Sequence, residues 1–233
     1  MSERFFTATP PSGSRALLEG DEARHLTRVL RAKIGDAVSL FDGTGREWPA
    51  RVASIGRDRV ELDAGEPVID PLSAGIPVTL AVALPKGDRQ KWMVEKLTEL
   101  GAARLIPLET TRGVAEATAS AQARLERGVI EACKQCGRNT LMEITAGRPL
   151  DRLLAEVPAG ACVVIAHPGG RPLDAATMPP TATAMIALVG PEGGFTDEEL
   201  CIADRAGVIR ISLGPHILRV ETAAIALAAR FVR

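Results

Sequence analysis

The chain has 233 residues, 46% of them hydrophobic, with four cysteines and a formal net charge of −1. That is enough apolar material for one large domain or for a small and a medium one. No run approaches the ~18 to 20 apolar residues of a membrane span, and the opening MSERFFTATP lacks the layout of a secretory signal, so a soluble cytoplasmic protein with no membrane partner is expected.

Near-zero charge excludes a global pull toward nucleic acid and leaves such binding to local patches. The 23 Arg against 5 Lys suit bidentate phosphate contacts. Residues 1 to about 70 form a β-rich unit by pattern. Val38–Phe41 and Arg51–Ile55 flank an Asp42-Gly43-Thr44-Gly45 turn, and Arg59–Leu62 follows a turn at Gly56, the spacing of short hairpin strands. One helix, Asp21 to Arg31, interrupts them. Leu26, Val29 and Leu30 share one face, and Arg24, Arg28 and Arg31 form a stripe on the other. That stripe is either a solvated helix face or, extended by Arg4, a patch facing RNA. The Pro and Gly density from Glu66 to Pro77 puts a boundary at about 70 to 76, giving domains 1–72 and 73–233.

Beyond the boundary, apolar strands alternate with helices. Val78–Leu84, Arg104–Leu108, Met142–Thr145, Cys162–Ala166, Ala184–Val189 and Val208–Leu213 are strand-like. Asp88–Leu100 and Ala121–Cys136 are helices closed by Gly101 and Gly137, with a short helix at Leu150–Val157. The alternation implies an α/β domain with a parallel sheet covered on both faces. Cys133-x-x-Cys136 lies at a helix end without further ligands at metal spacing, so the pair reads as small buried apolar residues and no metal site is expected.

In such sheets ligands collect at the carboxyl ends of the strands. Three strand ends carry unusual loops: Ala166-His167-Pro168-Gly169-Gly170, Gly190 to Phe195, and Leu213-Gly214-Pro215-His216. His167, alone in a Pro/Gly loop, fits a turn residue better than a base. Gly190, Gly193 and Gly194 permit close approach, and Pro191 stiffens the loop. Thr196 and Glu199 have capping-box spacing. Glu192 argues against a phosphate cradle and for a cationic or hydroxyl-rich ligand. There is no Gly-x-Gly-x-x-Gly after a strand, no Walker loop, no Gly-x-Ser-x-Gly and no His-Glu-x-x-His, which counts against four large enzyme classes. Arg219 stands just ahead of an Ala-rich helix, where the dipole disfavours a cation. It is either a structural partner of Glu221 or Glu192, or an arginine aimed at an anionic substrate.

Gly190-Pro191-Glu192-Gly193-Gly194, followed by Leu213-Gly214-x-x-Ile217-Leu218-Arg219-x-Glu221-Thr222-Ala223, resembles the ribosomal RNA small subunit methyltransferase E (RsmE) family of SPOUT methyltransferases. The likeness extends through His25-Leu26, Val29-Leu30-Arg31, Phe41-Asp42-Gly43, Lys86-Gly87-Asp88-Arg89 and Gln135-Cys136-Gly137-Arg138-Asn139. It implies a SPOUT-type α/β domain with a C-terminal trefoil knot, preceded by a small PUA-like RNA-binding β-barrel, in a homodimer. It also implies methylation of N3 of a uridine in small-subunit (16S) ribosomal RNA, free or in the 30S subunit, using S-adenosyl-L-methionine. The implied cofactor-binding residues are His167, Val189, Gly190, Pro191, Glu192, Gly193, Gly194, Leu213, Gly214, Ile217, Leu218 and Arg219. The implied catalytic pair is Arg219 with Glu221 orienting it, and the RNA contacts are Arg4, Arg24, Arg28 and Arg31. Two positions depart from the pattern: His216, where an arginine is frequent, and Lys134, where a glutamate is common. Another RNA target, or a non-catalytic RNA-binding assembly factor on the same fold, are the alternatives.

Overall fold

Period-two alternation lays down the first unit. The computed structural model describes residues 3–69, 75–114, 118–174 and 179–232. In it β1 (Glu3–Phe6), β2 (Arg15–Glu19), β3 (Ala37–Phe41), β4 (Arg46–Ile55), β5 (Arg59–Ala64) and β6 (Val68–Ile69) share one sheet. The order is β1-β3-β4-β5-β2, with β6 added to β4. Every second side chain of β2 and β5 is buried. One sheet face is therefore apolar and packs Phe5, Leu18, Leu40, Trp48, Val52, Val60 and Leu62 into a single core. β3 and β4 pair antiparallel across the Asp42–Gly45 turn, as the spacing predicts, although β4 begins already at Arg46.

The helix expected over 21–31 takes another form. α1 covers only Gly20–Arg24, and His25–Val29 is a π turn closed by the Leu30 N–H on the His25 carbonyl at 3.1 Å. A wider turn rotates the residues beyond it off the 3.6-residue stripe. Leu26 stays buried, Val29 becomes 68% exposed, and Arg31 lies beyond the helix with φ of 54°. The arginine stripe is accordingly broken. Arg24 is ion-paired with Asp21, while Arg28 and Arg31 stand exposed on the turn and the loop after it.

Residues 133–141 group with residues 1–72, whereas 73–132 and 142–233 make the second unit. The sequence pattern ran the second domain unbroken from 73, and most of the boundary at 70 to 76 lies outside the described residues. A partly buried polar network ties the 133–141 segment in. Arg4 pairs with Glu47 at 2.9 Å and donates to Asn139 Oδ1, while Asn139 Nδ2 and Ser39 Oγ donate to Glu47 at 3.0 and 2.6 Å. Burial pushes the Glu47 carboxyl up, but these donors outweigh it and hold the group below the usual carboxylate range. Arg4 is only 12% exposed and lies over the Phe41 ring, its charge turned toward Glu47 and Asn139. Lys134 pairs with Glu22 at 3.0 Å, which gives the departure at that position a structural partner. Cys133 is buried, its thiol pushed up to about 11 by burial. Cys136 is exposed, against the expectation that both are buried.

The second unit obeys the strand–helix alternation. β7 (Val78–Val82), β8 (Arg104–Glu109), β9 (Glu143–Ile144), β10 (Arg148–Pro149), β11 (Ala161–Pro172), β12 (Ala184–Val189) and β13 (Ile209–Ser212) pair throughout in parallel. Their order is β10-β8-β7-β12-β11-β13, with β9 beside β8. α2 (Asp88–Leu100) packs on α6 (Val220–Phe231), which in turn packs on β7 and β12. On the opposite face α4 (Leu150–Ala155) and α5 (Asp197–Arg205) bring Leu150, Leu153, Leu200 and Ala203 against Ala81, Ile165, Ile186 and Leu188. Burial on both faces is why β7 and β12 are almost uninterrupted apolar runs. α3 (Ala119–Cys136) links the two units in sequence. Among the described residues no helix is long and apolar enough to cross a membrane.

Candidate functional site

Because all strands of the second sheet run the same way, the loops leaving their carboxyl ends collect along one edge. β7 and β12 lie side by side there although far apart in the chain. The Ala83 N–H reaches the Val189 carbonyl at 2.9 Å, extending their ladder past the end of β7. The loops Ala83–Gly87 and Gly190–Phe195 therefore start next to each other.

The second of these loops is fixed from both sides. Pro191 O accepts the Gly194 N–H at 2.8 Å. A Cβ at Gly190 would lie 2.7 Å from the Phe195 ring, so only glycine allows that ring to fold back onto the strand end. Thr196 caps α5 and Glu199 returns the bond to the Thr196 N–H at 2.7 Å, the reciprocal capping box that the spacing predicts. The other Glu199 oxygen accepts the Thr111 N–H at 2.8 Å, and Arg112 donates to the Gly193 carbonyl at 2.7 Å. Both partners come from the segment after β8, which carries no motif of its own.

After β13, Leu213 to Leu218 lead to Arg219, the N-cap residue of α6. Ile217 is 88% exposed, Arg219 is exposed, and Glu221 is 4% exposed in the first turn. Arg89, in the first turn of α2, meets both carboxylates: its Nη1 is 3.3 Å from Glu192 Oε1 and 3.9 Å from Glu221 Oε2. The expected partner of Arg219 is thereby corrected. Glu192 and Glu221 face Arg89, and the Arg219 guanidinium has no ion pair or hydrogen bond among the described residues. Arg89 is the residue at this edge whose contacts sequence reasoning missed. It stood inside Lys86-Gly87-Asp88-Arg89, but no local spacing connects that segment to residues 192 and 221.

His167 does not end a strand. β11 breaks its register on β13 between Ala166 and Arg171, then resumes against Ile211 and Ser212. The four residues between form a bulge in which the His167 Nδ1 accepts the Gly169 N–H at 3.0 Å, the turn role expected of it. A Cβ at Gly170 would lie 2.5 Å from the Ile211 backbone, so the bulge requires glycine at that crossing. Residues 189–194, 167 and 213–219 thus leave the carboxyl edge on three successive strands, β12, β11 and β13. Among the described residues no group of three His, Cys, Asp or Glu could hold a metal ion.

The Arg89 bridge has a measurable consequence. Arg89→Ala leaves Glu221 buried without its cation, and is expected to cost about 1 to 2 kcal/mol, below the figure for fully buried pairs because Arg89 is partly exposed. Adding Glu221→Gln should recover most of that loss in chemical denaturation; additive losses in the double variant would mean that the two groups do not interact.

Residues 73–232 match the RNA methyltransferase domain family, and residues 18–64 match the RNA methyltransferase PUA domain. The chain is 33% identical to ribosomal RNA small subunit methyltransferase E of Mycobacterium bovis, covering 94% of this chain and 87% of that one. It is 34% identical to the enzyme of the same name from Synechocystis, over 87% of this chain and 67% of that one. The crystal structure of ribosomal RNA small subunit methyltransferase E from Neisseria gonorrhoeae bound to S-adenosyl methionine aligns with a TM-score of 0.89 at 30% identity, over 99% and 96% of the two chains. The parallel α/β unit is of the SPOUT type and the β unit before it is PUA-like, and the chain belongs to the ribosomal RNA small subunit methyltransferase E family.

Proposed function

We propose that the protein transfers a methyl group from S-adenosyl-L-methionine to N3 of a uridine in small-subunit ribosomal RNA. The observation that supports this most is that one nitrogen of Arg89 lies within 4 Å of both Glu192 and Glu221. The glycine loop after β12 and the first turn of α6 are thereby joined through one side chain. The chemistry of the groups there suits this donor. S-adenosylmethionine carries an ammonium and hydroxyls but no phosphate, and acceptors are present: the half-exposed Glu192 of the glycine loop and, in the first turn of α6, the buried Glu221 Oε2, which has no hydrogen-bond partner. A carboxylate inside the glycine loop would repel a phosphate.

The residues that would hold the cofactor are Val189 to Gly194 after β12, His167 in the bulge of β11, and Leu213, Gly214 and Ile217 to Arg219 before α6, residue 219 through its backbone, which an alanine there would keep. When bound, it supplies a methyl group made electrophilic by a sulfonium. The protein has two further tasks. Positioning the uridine nitrogen in line with that carbon is worth up to ~7 to 11 kcal/mol of barrier. The N3 proton must also leave, and an exposed guanidinium at residue 219 favours the uridine anion electrostatically. Arg89 keeps Glu192 and Glu221 apart from that cation.

The reading extends to organisation. RNA binding belongs to residues 1–72 and methyl transfer to 73–233, with a trefoil knot at the C-terminal loops. The working unit is a cytoplasmic homodimer whose substrate is ribosomal RNA or the 30S subunit. Mass mapping of small-subunit ribosomal RNA from cells with and without this protein should show one N3-methyluridine that disappears in its absence; an unchanged modification pattern overturns the assignment. Calorimetry separates the remaining rival, since a non-catalytic assembly factor would bind RNA and give no heat with S-adenosylmethionine.

A further inference from the structure

The segment Val29–Asp36 of the first unit combines three features that its fold does not require. Val29 and Ile34 are 68% and 69% exposed, within six residues of one another in sequence. Val29 owes its exposure to the π turn, which swings it off the face that buries Leu26. Ile34 occupies the second position of a turn closed by the Asp36 N–H on the Lys33 carbonyl at 3.1 Å, a position that a polar residue or proline fills at no loss. Between them Arg31 has a φ of 54°, the only positive φ of a non-glycine residue among the described residues. Such a conformation persists when its surroundings enforce it, and it clusters at sites of binding.

The same segment carries three cations. Arg28, Arg31 and Lys33 are exposed, and among the described residues no ion pair or side-chain hydrogen bond engages their charges. The neighbouring carboxylates have partners: Asp21 pairs with Arg24, Glu22 with Lys134, and Asp36 accepts the Lys33 N–H at 2.7 Å. Single exposed apolar residues need no explanation on a protein surface. Two of them in one short segment with a positive-φ arginine and three exposed cations that lack counter-charges match a polyanion that also presents flat apolar faces.

We infer that this loop binds single-stranded RNA by inserting Val29 and Ile34 against unstacked bases while Arg28, Arg31 and Lys33 hold the flanking phosphates. The inference rests on the RNA substrate proposed above and goes beyond it by dividing the loop into a base-contacting pair and a phosphate-contacting set. Apolar side chains serve as wedges between bases in other nucleic-acid complexes, and paired RNA hides its base faces. The loop therefore discriminates single strands from duplex through Val29 and Ile34.

The test is fluorescence anisotropy with the intact chain, a short labelled single-stranded oligoribonucleotide and its fully paired duplex, over a series of salt concentrations. Val29→Ser/Ile34→Ser should weaken single-strand binding about five- to tenfold, the low end of a base contact, leave duplex binding unchanged and leave the salt slope unchanged. Arg28→Ala/Arg31→Ala should weaken both and flatten the single-strand slope by about 1.4, two contacts at ~0.7 each. Because all four side chains are exposed, matching thermal midpoints show that the variants fold. Equal losses on single strand and duplex, or no loss for the apolar pair, overturn the inference while leaving RNA binding by the arginines intact. If neither pair of substitutions matters, or the unaltered chain binds neither probe, the loop has no part in RNA recognition and the inference falls with it.

Discussion

Replacing Arg219 with alanine is expected to lower methyl transfer about 10²-fold while leaving cofactor affinity and fold stability where they were. The structural reason is the separation of charges at the start of α6. Arg219 caps the helix without a side-chain bond, at the end where a cation is disfavoured by ~0.3 to 1 kcal/mol. The carboxylates that could have compensated it are engaged by Arg89. A residue with no stabilising contact that sits unfavourably is one whose removal the fold tolerates, and the thermal midpoint should stay level or rise slightly. Activity should respond differently, because a positive group near developing negative charge on uridine acts chiefly in the transition state. Single-turnover kinetics at saturating cofactor measure this directly. Normal turnover would remove Arg219 from the chemistry, and a lost midpoint would make it structural after all. Arg219→Lys tests the kind of contact: a point charge restores most of the rate only if charge, and not the planar fork, is what matters.

What the sequence disclosed and what it hid divide along a physical line. Local regularities were legible. Apolar runs of strand length alternating with helices led to the parallel sheet, Gly101 closed α2 as expected, and Thr196 with Glu199 formed the capping box that their spacing announced. The glycine loop after β12 was recognisable because buried strand, glycines and cap are contiguous. Contacts between distant segments left no such trace. Arg89 bridging Glu192 and Glu221, Arg112 on the Gly193 carbonyl, and Arg4 turned toward Asn139 each join stretches that no periodicity relates. Two local features misled for a different reason. Helical spacing from 21 to 31 cannot reveal a π turn, since one wide hydrogen-bonded ring leaves the residue pattern unchanged while rotating every residue beyond it. Pro168-Gly169-Gly170 resembled the end of a strand, yet β11 crosses it as a bulge and resumes pairing, which only the partner strand β13 decides.

Those distant contacts also decide where the scaffold is most vulnerable, and Glu199 is the clearest case. Its carboxylate is buried and accepts two backbone N–H groups, Thr196 at the start of α5 and Thr111 after β8. Glu199→Ala strands both donors away from water and removes half of the capping box, an expected loss of about 2 to 3 kcal/mol in chemical denaturation. Glu199→Gln should recover roughly half of that, since an amide keeps one acceptor and opposes the second N–H with its own. The pH dependence has a fixed sign. Burial pushes the carboxyl up, but the hydrogen bonds from Thr196 and Thr111 outweigh it and leave its folded value below the ordinary one. A depressed carboxyl contributes its stability above the unfolded value of ~4.3 and loses it as pH falls through the folded value. The gap between wild type and Glu199→Gln should therefore be constant near neutrality and shrink below about pH 4. A gap that persists into acid would mean that shape, not charge, is what Glu199 provides. Since Glu199 anchors Thr196, the residue that directly follows the glycine loop, the alanine variant should also bind S-adenosylmethionine more weakly, whereas Arg219→Ala should not. Loss of stability together with cofactor affinity at residue 199, and loss of rate alone at residue 219, would separate the part of this edge that builds the donor site from the part that acts on the nucleotide.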